Sequence, residues 1–229
     1  MTNRLLPGLW LACLFSLPAL AADPHTITMN GHGEVKAVPD IATVNAGVTA
    51  SASTAAAALS ANSARMNQVF AALKKLGVPD HDIQTTGFSV SPQYTNGDNN
   101  NPRRLTGYQV NNELSVRLED VTRVGATLDT LIGAGANQMN SISFDIANPS
   151  PLLEKARTLA VADARVRAQT YTQAAGVTLG SIVSISEGGG EMPRPMFRVE
   201  QVMVTGSRVP VAAGEQSVTA DATVVWEFH

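Results

Sequence analysis

Along the chain, stretches that alternate every second residue are separated by stretches that repeat every three or four. Residues 41–50 alternate cleanly. Ile41, Thr43, Asn45, Gly47 and Thr49 point one way, and Ala42, Val44, Ala46, Val48 and Ala50 the other. Period two with one small apolar face predicts a half-buried strand. Ahead of it, Thr26 to Met29 alternates weakly and predicts a short strand. Ser53-Thr54 supplies candidate caps for a helix. Its stripe is Leu59, Asn62 or Ser63, Met66, Val69 or Phe70, Leu73 and Leu76, and Gly77 ends it with Val78-Pro79 beyond. Residues 83–94 are extended again. A polar loop from Asn96 to Arg104 and a long alternating strand from Leu105 to Leu118 complete a hairpin. Asp120 to Ile132 predicts a helix with Val121, Val124, Leu128, Leu131 and Ile132 inward, closed by Gly133-Ala134-Gly135. Met139 to Ile146 is a strand.

Asn148-Pro149-Ser150-Pro151 opens the longest helix, Leu152 to Ala175. One stripe of it is Leu153, Ala156, Ala160, Ala164, Ala168, Tyr171 and Ala175, small enough for a helix to lie close to a sheet. Gly176-Val177 ends it, and strands follow around residues 181–186, 196–204 and 217–228. The order strand, helix, Gly-Val, strand, loop, long strand occurs at 41–118 and recurs at 139–228, with Gly77-Val78 answered by Gly176-Val177. The chain is therefore expected to be α+β: two βαββ pseudo-repeats joined by a short helix, with helices packed on antiparallel-rich sheets.

The first 21 residues fall outside this pattern. Arg4 precedes an apolar run from Leu9 to Leu17, and Ala19-Leu20-Ala21 closes it with small residues. This predicts a cleavable signal peptide over 1–21, with the folded region over 22–229. The run is shorter than the ~20 residues that span a bilayer, and Pro7 and Pro18 bracket it, which argues against a membrane anchor. Cys13, the only cysteine, lies mid-run, where lipid modification is disfavoured. Cleavage removes it, so no disulfide, thiolate nucleophile or thiolate metal site is expected. Without Arg4, 15 basic side chains stand against 19 acidic ones, a balance of −4 that argues against a nucleic-acid partner. No later run is long enough for a transmembrane segment.

Candidate chemistry is thin. His32, between Gly31 and Gly33 and near Glu34, could be a base or a metal ligand. A metal site needs three or four convergent ligands, and the other histidines, His25, His81 and His229, are scattered without paired spacing. The glycines read instead as a bulge or close approach after the first strand. Glu34 and Asp40 could form an acid pair, but Pro39-Asp40 reads more simply as entry to a strand. Gly87-Phe88-Ser89-Val90-Ser91 lacks the second glycine of a nucleophile elbow. Gly133-Ala134-Gly135 and Gly188-Gly189-Gly190 lack the strand-to-helix context of a phosphate loop. Arg103-Arg104 and Arg194 with Arg198 put positive charge at two hairpin tips and read as solvated loops, with an acidic partner or lipid head group as the other reading. Asp163, Arg165 and Arg167 form a wet helix face, with Asp163 and Arg167 paired four apart. No catalytic, cofactor-binding or metal-ligating residue is assigned.

Three stretches together resemble the SIMPL-domain family, exported bacterial proteins long classed as a domain of unknown function (DUF541). They are GHGEVKAVPDIATVNAGV from Gly31, GYQVNNELSVRLEDVTRVGATLDTLIGAGANQMNSISFDI from Gly107, and ARTLAVADARVRAQTYTQAAGVTLGSIVSISE from Ala156. The resemblance implies a periplasmic or envelope-associated protein, with outer-membrane association as one form of it. Relatives are described as immunogenic envelope proteins, as factors in oxidative-stress defence, and as ring-like or channel-like oligomers. It implies no catalytic residues.

Three functions follow. The first is a non-enzymatic assembly protein, a homo-oligomer through strand edges or hairpins, with an envelope protein as a further partner and an indirect stress role. The alternative is a periplasmic binding module using the interface between the repeats for a peptide or small ligand. The third, least favoured, is a hydrolase joining distant residues such as Ser89 and His81.

Overall fold

The computed structural model describes residues 25–95, 102–188 and 211–229. Seven strands among them form two antiparallel sheets. They are β1 (Thr26–Ala37), β2 (Ile41–Ala52), β3 (Ile83–Tyr94), β4 (Leu105–Leu118), β5 (Gln138–Asp145), β6 (Leu179–Glu187) and β7 (Gln216–Phe228). One sheet has the order β3-β4-β2-β5 and the other β1-β7-β6. The helices are α1 (Ala55–Lys75), α2 (Val124–Gly133) and α3 (Ser150–Ala175). This is the α+β class that the alternation predicts. The element order is compatible with two βαββ units, but pairing is not confined to them: β5 joins β2, and β1 joins β7.

The alternation of β2 sorts as its spacing requires. Ala42, Val44, Ala46, Val48 and Ala50 are buried, and the first four meet Leu114 and Val116 of β4 and Met66, Val69 and Leu73 of α1 in the larger core. Thr54 caps α1, its hydroxyl accepting from Ala57 N at 3.2 Å. Gly77 follows with a φ of 75°, a conformation natural to glycine. The buried stripe is Ala58, Asn62, Met66, Val69 and Leu73. The expected Leu59 and Phe70 fall on its flank, 42% and 36% exposed. Arg65, on the opposite flank, reaches Thr49 O and lies against Gly135 beyond α2. Since α1 covers β2 and β4, Leu59 and Phe70 must face the β3 side.

Two strand and helix boundaries differ from expectation. β1 does not stop at Met29. It runs through Gly31-His32-Gly33 to Ala37 in unbroken register with β7, from Thr26↔Glu227 to Ala37↔Gln216. The glycines look like punctuation in sequence because their lack of a Cβ serves two purposes, turning and close approach, and here it serves the second. The segment before α2 is split: Asp120 caps a short 3-10 turn over Val121–Arg123, and the α-helix begins at Val124. On α3 the buried stripe is Ala156, Ala160, Ala164, Ala168 and Thr172, whereas Tyr171 is exposed. The strand expected at 196–204 and the loops around Asn96 and Gly190 lie outside the described residues.

Candidate functional site

Gly31 and Gly33 sit beneath α3. A Cβ on Gly31 would lie 1.9 Å from Ala160 O and 2.6 Å from Ala164 N, and one on Gly33 would lie 1.9 Å from Ala156 O. Backbone meets backbone, and the alanine stripe of the helix completes the contact. His32 therefore points to the opposite face of the sheet. There its ring Nδ1 lies 2.8 Å from Asp221 Oδ1, on the residue directly across β7. Its backbone N–H donates to Asp163 Oδ2 at 2.9 Å. Asp163 also holds Arg167 at 2.9 Å, the pair expected four apart on α3. The His32 N–H, followed by the Arg167 guanidinium, holds the Asp163 carboxyl below its ordinary range.

The surroundings of His32 are polar and wet. Its side chain is 52% exposed and that of Asp221 66%. Next along the same face Thr223 donates to Asn30 Oδ1 at 2.7 Å, and Ser217 to Glu34 Oε1 at 2.5 Å. Asn30 and Thr223 face each other directly across the ladder, and Glu34 and Ser217 meet on its diagonal. A histidine beside a carboxylate is part of a triad, but among the described residues no hydroxyl or third ligand is bonded to the ring. Among the described residues no group of three or more His, Cys, Asp or Glu could hold a metal ion.

Glu34 and Asp40 are not a pair. Glu34 is engaged with Ser217, whereas Asp40 Oδ1 accepts from Ala147 N at 2.7 Å and Asp40 N donates to Asp145 O at 3.1 Å. Asp40 ties the start of β2 to the end of β5. Ser89 and His81 are held apart: from Ile83 to Ser89 the chain is strand, roughly 20 Å at about 3.3 Å per residue. His81 is largely exposed and, among the described residues, reaches Asp82 at 3.7 Å. At the hairpin tip Arg103 lies over the Tyr94 ring at 5.3 Å, so it is occupied within its own hairpin. Arg194 and Arg198 lie outside the described residues, as do Gly189 and Gly190.

Two features were not singled out from sequence. Asn62, fully buried on α1, donates to Val48 O at 2.6 Å and Val110 O at 3.2 Å, tying the helix to both central strands. Its place on the helical stripe was legible, but its partners, 14 and 48 residues away, were not. The second is a cleft of about 260 Å³ at the β5 side of the larger sheet. It is lined by apolar Val44, Leu128, Ile132, Met139 and Ile142, with Asn45, Asn140 and Ser141. Asn45 donates to Ser141 Oγ at 3.0 Å beside it.

The class this geometry defines is an α+β chain of two antiparallel sheets, one backed by α1 and the other by α3, whose distinctive motif serves helix–strand contact. No described helix is long and apolar enough to cross a membrane. A family model described as SIMPL, protein of unknown function (DUF541), matches residues 27–226, and the chain belongs to this family. It is similar to the 26 kDa periplasmic immunogenic protein of Brucella melitensis, 38% identical over 228 residues, covering 93% of this chain and 91% of that protein. The Brucella abortus protein of the same name matches equally. The uncharacterized protein YggE of Escherichia coli K12 is 30% identical over 213 residues, covering 90% of this chain and 84% of that one.

Proposed function

We propose that the chain is a non-enzymatic protein of the bacterial periplasm or envelope that assembles into a higher-order homo-oligomer, with any part in stress tolerance being indirect. The observation that carries this reading is the uncovered strand β3. It has no partner on its outer side among the described residues, and Phe88 and Val90 on it are 57% and 43% exposed. Unpaired backbone groups beside apolar side chains favour pairing with another chain. The periplasmic location rests on the leader-like first 21 residues and on relatives that are named periplasmic. Outer-membrane association is the finer form of the same proposal.

Native mass measurement combined with cross-linking in the periplasm tests it. A defined oligomer at micromolar concentration is expected, and a single-chain mass throughout would overturn it. The apolar cleft beside β5 favours a second reading, a binding module for a small ligand or peptide. A shift in melting temperature on addition of envelope fractions would support that reading. Hydrolysis by Ser89 and His81 has no geometric support, given their separation.

A further inference from the structure

Among the described residues the two sheets have four edges, and these are not equivalent. On β1, Asp163 takes up the His32 N–H, and Glu34 and Lys36 add charge along the strand. β5 is eight residues long, its register shifts opposite Asn45/Ala46, and it ends in Asp145. β6 shifts register at Leu179/Ile182 and again at Ile182/Ser184, and ends in Glu187. Irregular register and charge are the usual means by which an edge is kept from pairing. β3, IQTTGFSVSPQY, carries no Asp, Glu, Lys or Arg in twelve residues. Its register shifts, at Thr85/Gly87 and Gln93/Tyr94, and its proline, Pro92, lie outside a regular stretch from Gly87 to Ser91.

The face of that stretch is also open. Phe88 pairs with Asn112 and Val90 with Val110, so both point to the side that carries α1. Yet α1 lies over β2 and β4, and its flank toward β3 presents Leu59 and Phe70, also exposed. The apolar surface thus runs from helix flank to strand edge.

From these observations we infer that β3 pairs antiparallel with the β3 of a second copy of this chain, about a two-fold axis within Gly87–Ser91. This rests on the assembly reading above and names its contact. The occupant follows from charge. In a two-fold contact each residue near the axis meets itself or a close neighbour from the other chain, so any ionic side chain there opposes its own sign. β3 is the edge with no such charge at any position. Phe88 and Val90 of the two copies would come together on the α1 side of the continuous sheet.

The test uses two oppositely charged variants of the exported chain, purified from the periplasm: Phe88→Lys/Val90→Lys and Phe88→Glu/Val90→Glu. Each alone is expected to show at most half the wild-type native mass, and an equal mixture is expected to recover the wild-type mass. Both sites are exposed, so circular dichroism should be unchanged. Ser89→Lys and Ser89→Glu, on the opposite face of the same stretch, form a second pair judged by the same criteria should the first fail to fold. Variants that keep the wild-type mass would overturn the β3 contact while leaving assembly standing. Variants that dissociate and do not recover on mixing would overturn self-pairing in favour of a different occupant. A wild-type chain of single-copy mass would overturn both the contact and the assembly reading.

Discussion

Gly31 of β1 lies directly beneath Ala160 of α3, so close that a Cβ on the glycine would fall 1.9 Å from the alanine carbonyl oxygen. The obstacle is helix backbone, which cannot rotate away as a side chain can. Gly31→Ala and Gly33→Ala are each expected to cost at least about 3 kcal/mol, the upper end for overpacking. In a chain of this size that lowers the melting temperature by roughly 6–12 °C. Gly133→Ala is the control. Nothing lies within 4 Å of its Cβ position and it ends α2, so it should be neutral or stabilise by about 0.5–1 kcal/mol. Urea midpoints of the three variants check this.

His32→Ala should behave unlike its glycine neighbours. The ring sits half exposed beside an exposed carboxylate, and such pairs contribute less than about 1 kcal/mol. A urea midpoint close to wild type is expected. A loss equal to that of Gly31→Ala would mean that the histidine is a structural element of the motif.

Asp163 makes the β1 edge sensitive to acid. Its folded carboxyl titrates below the unfolded value because the His32 N–H and Arg167 favour the charged form. Its contribution is therefore fully present above the ordinary carboxylate range and is lost as pH falls through the lowered folded value. Asp163→Asn should flatten the acid limb of a plot of melting temperature against pH and leave the slope near neutrality alone. An acid limb unchanged from wild type would show that other carboxylates carry it.

Asn62→Ala removes the donor shared by Val48 O and Val110 O in a fully buried position. The stranded carbonyls should cost about 1–3 kcal/mol, before any cavity term. Asn62→Leu, which fills the space but restores no donor, should not recover the wild-type midpoint.

How much of this was legible depended on the range of each interaction. The β2 alternation, the Thr54 cap and the glycines after α1 and α3 are local, and sequence showed them. The partners of β1 and β5 were hidden, because strand pairing is chosen by the whole chain. Gly31 and Gly33 hid the continuation of β1, since their small size suggests a turn until the helix above them is placed. His32 and Asp221 are 189 residues apart, and no periodicity links them. Leu59 and Phe70 misled for the opposite reason. Their spacing suits a buried stripe, and only the position of α1 over β2 and β4 leaves them uncovered.

The pairing of β1 with β7 also sets a timetable. β1 is the first described strand, and among the described residues its partner is the last. Until some 190 further residues have been made, its twelve-rung ladder has nothing to form on. At about 5–20 residues per second that interval is roughly 10–40 s. The smaller sheet is also without its middle strand until then, so α3 has no finished surface to settle on. Between those two events the first strand of the fold stays unpaired, and only the arrival of β7 lets the smaller sheet close.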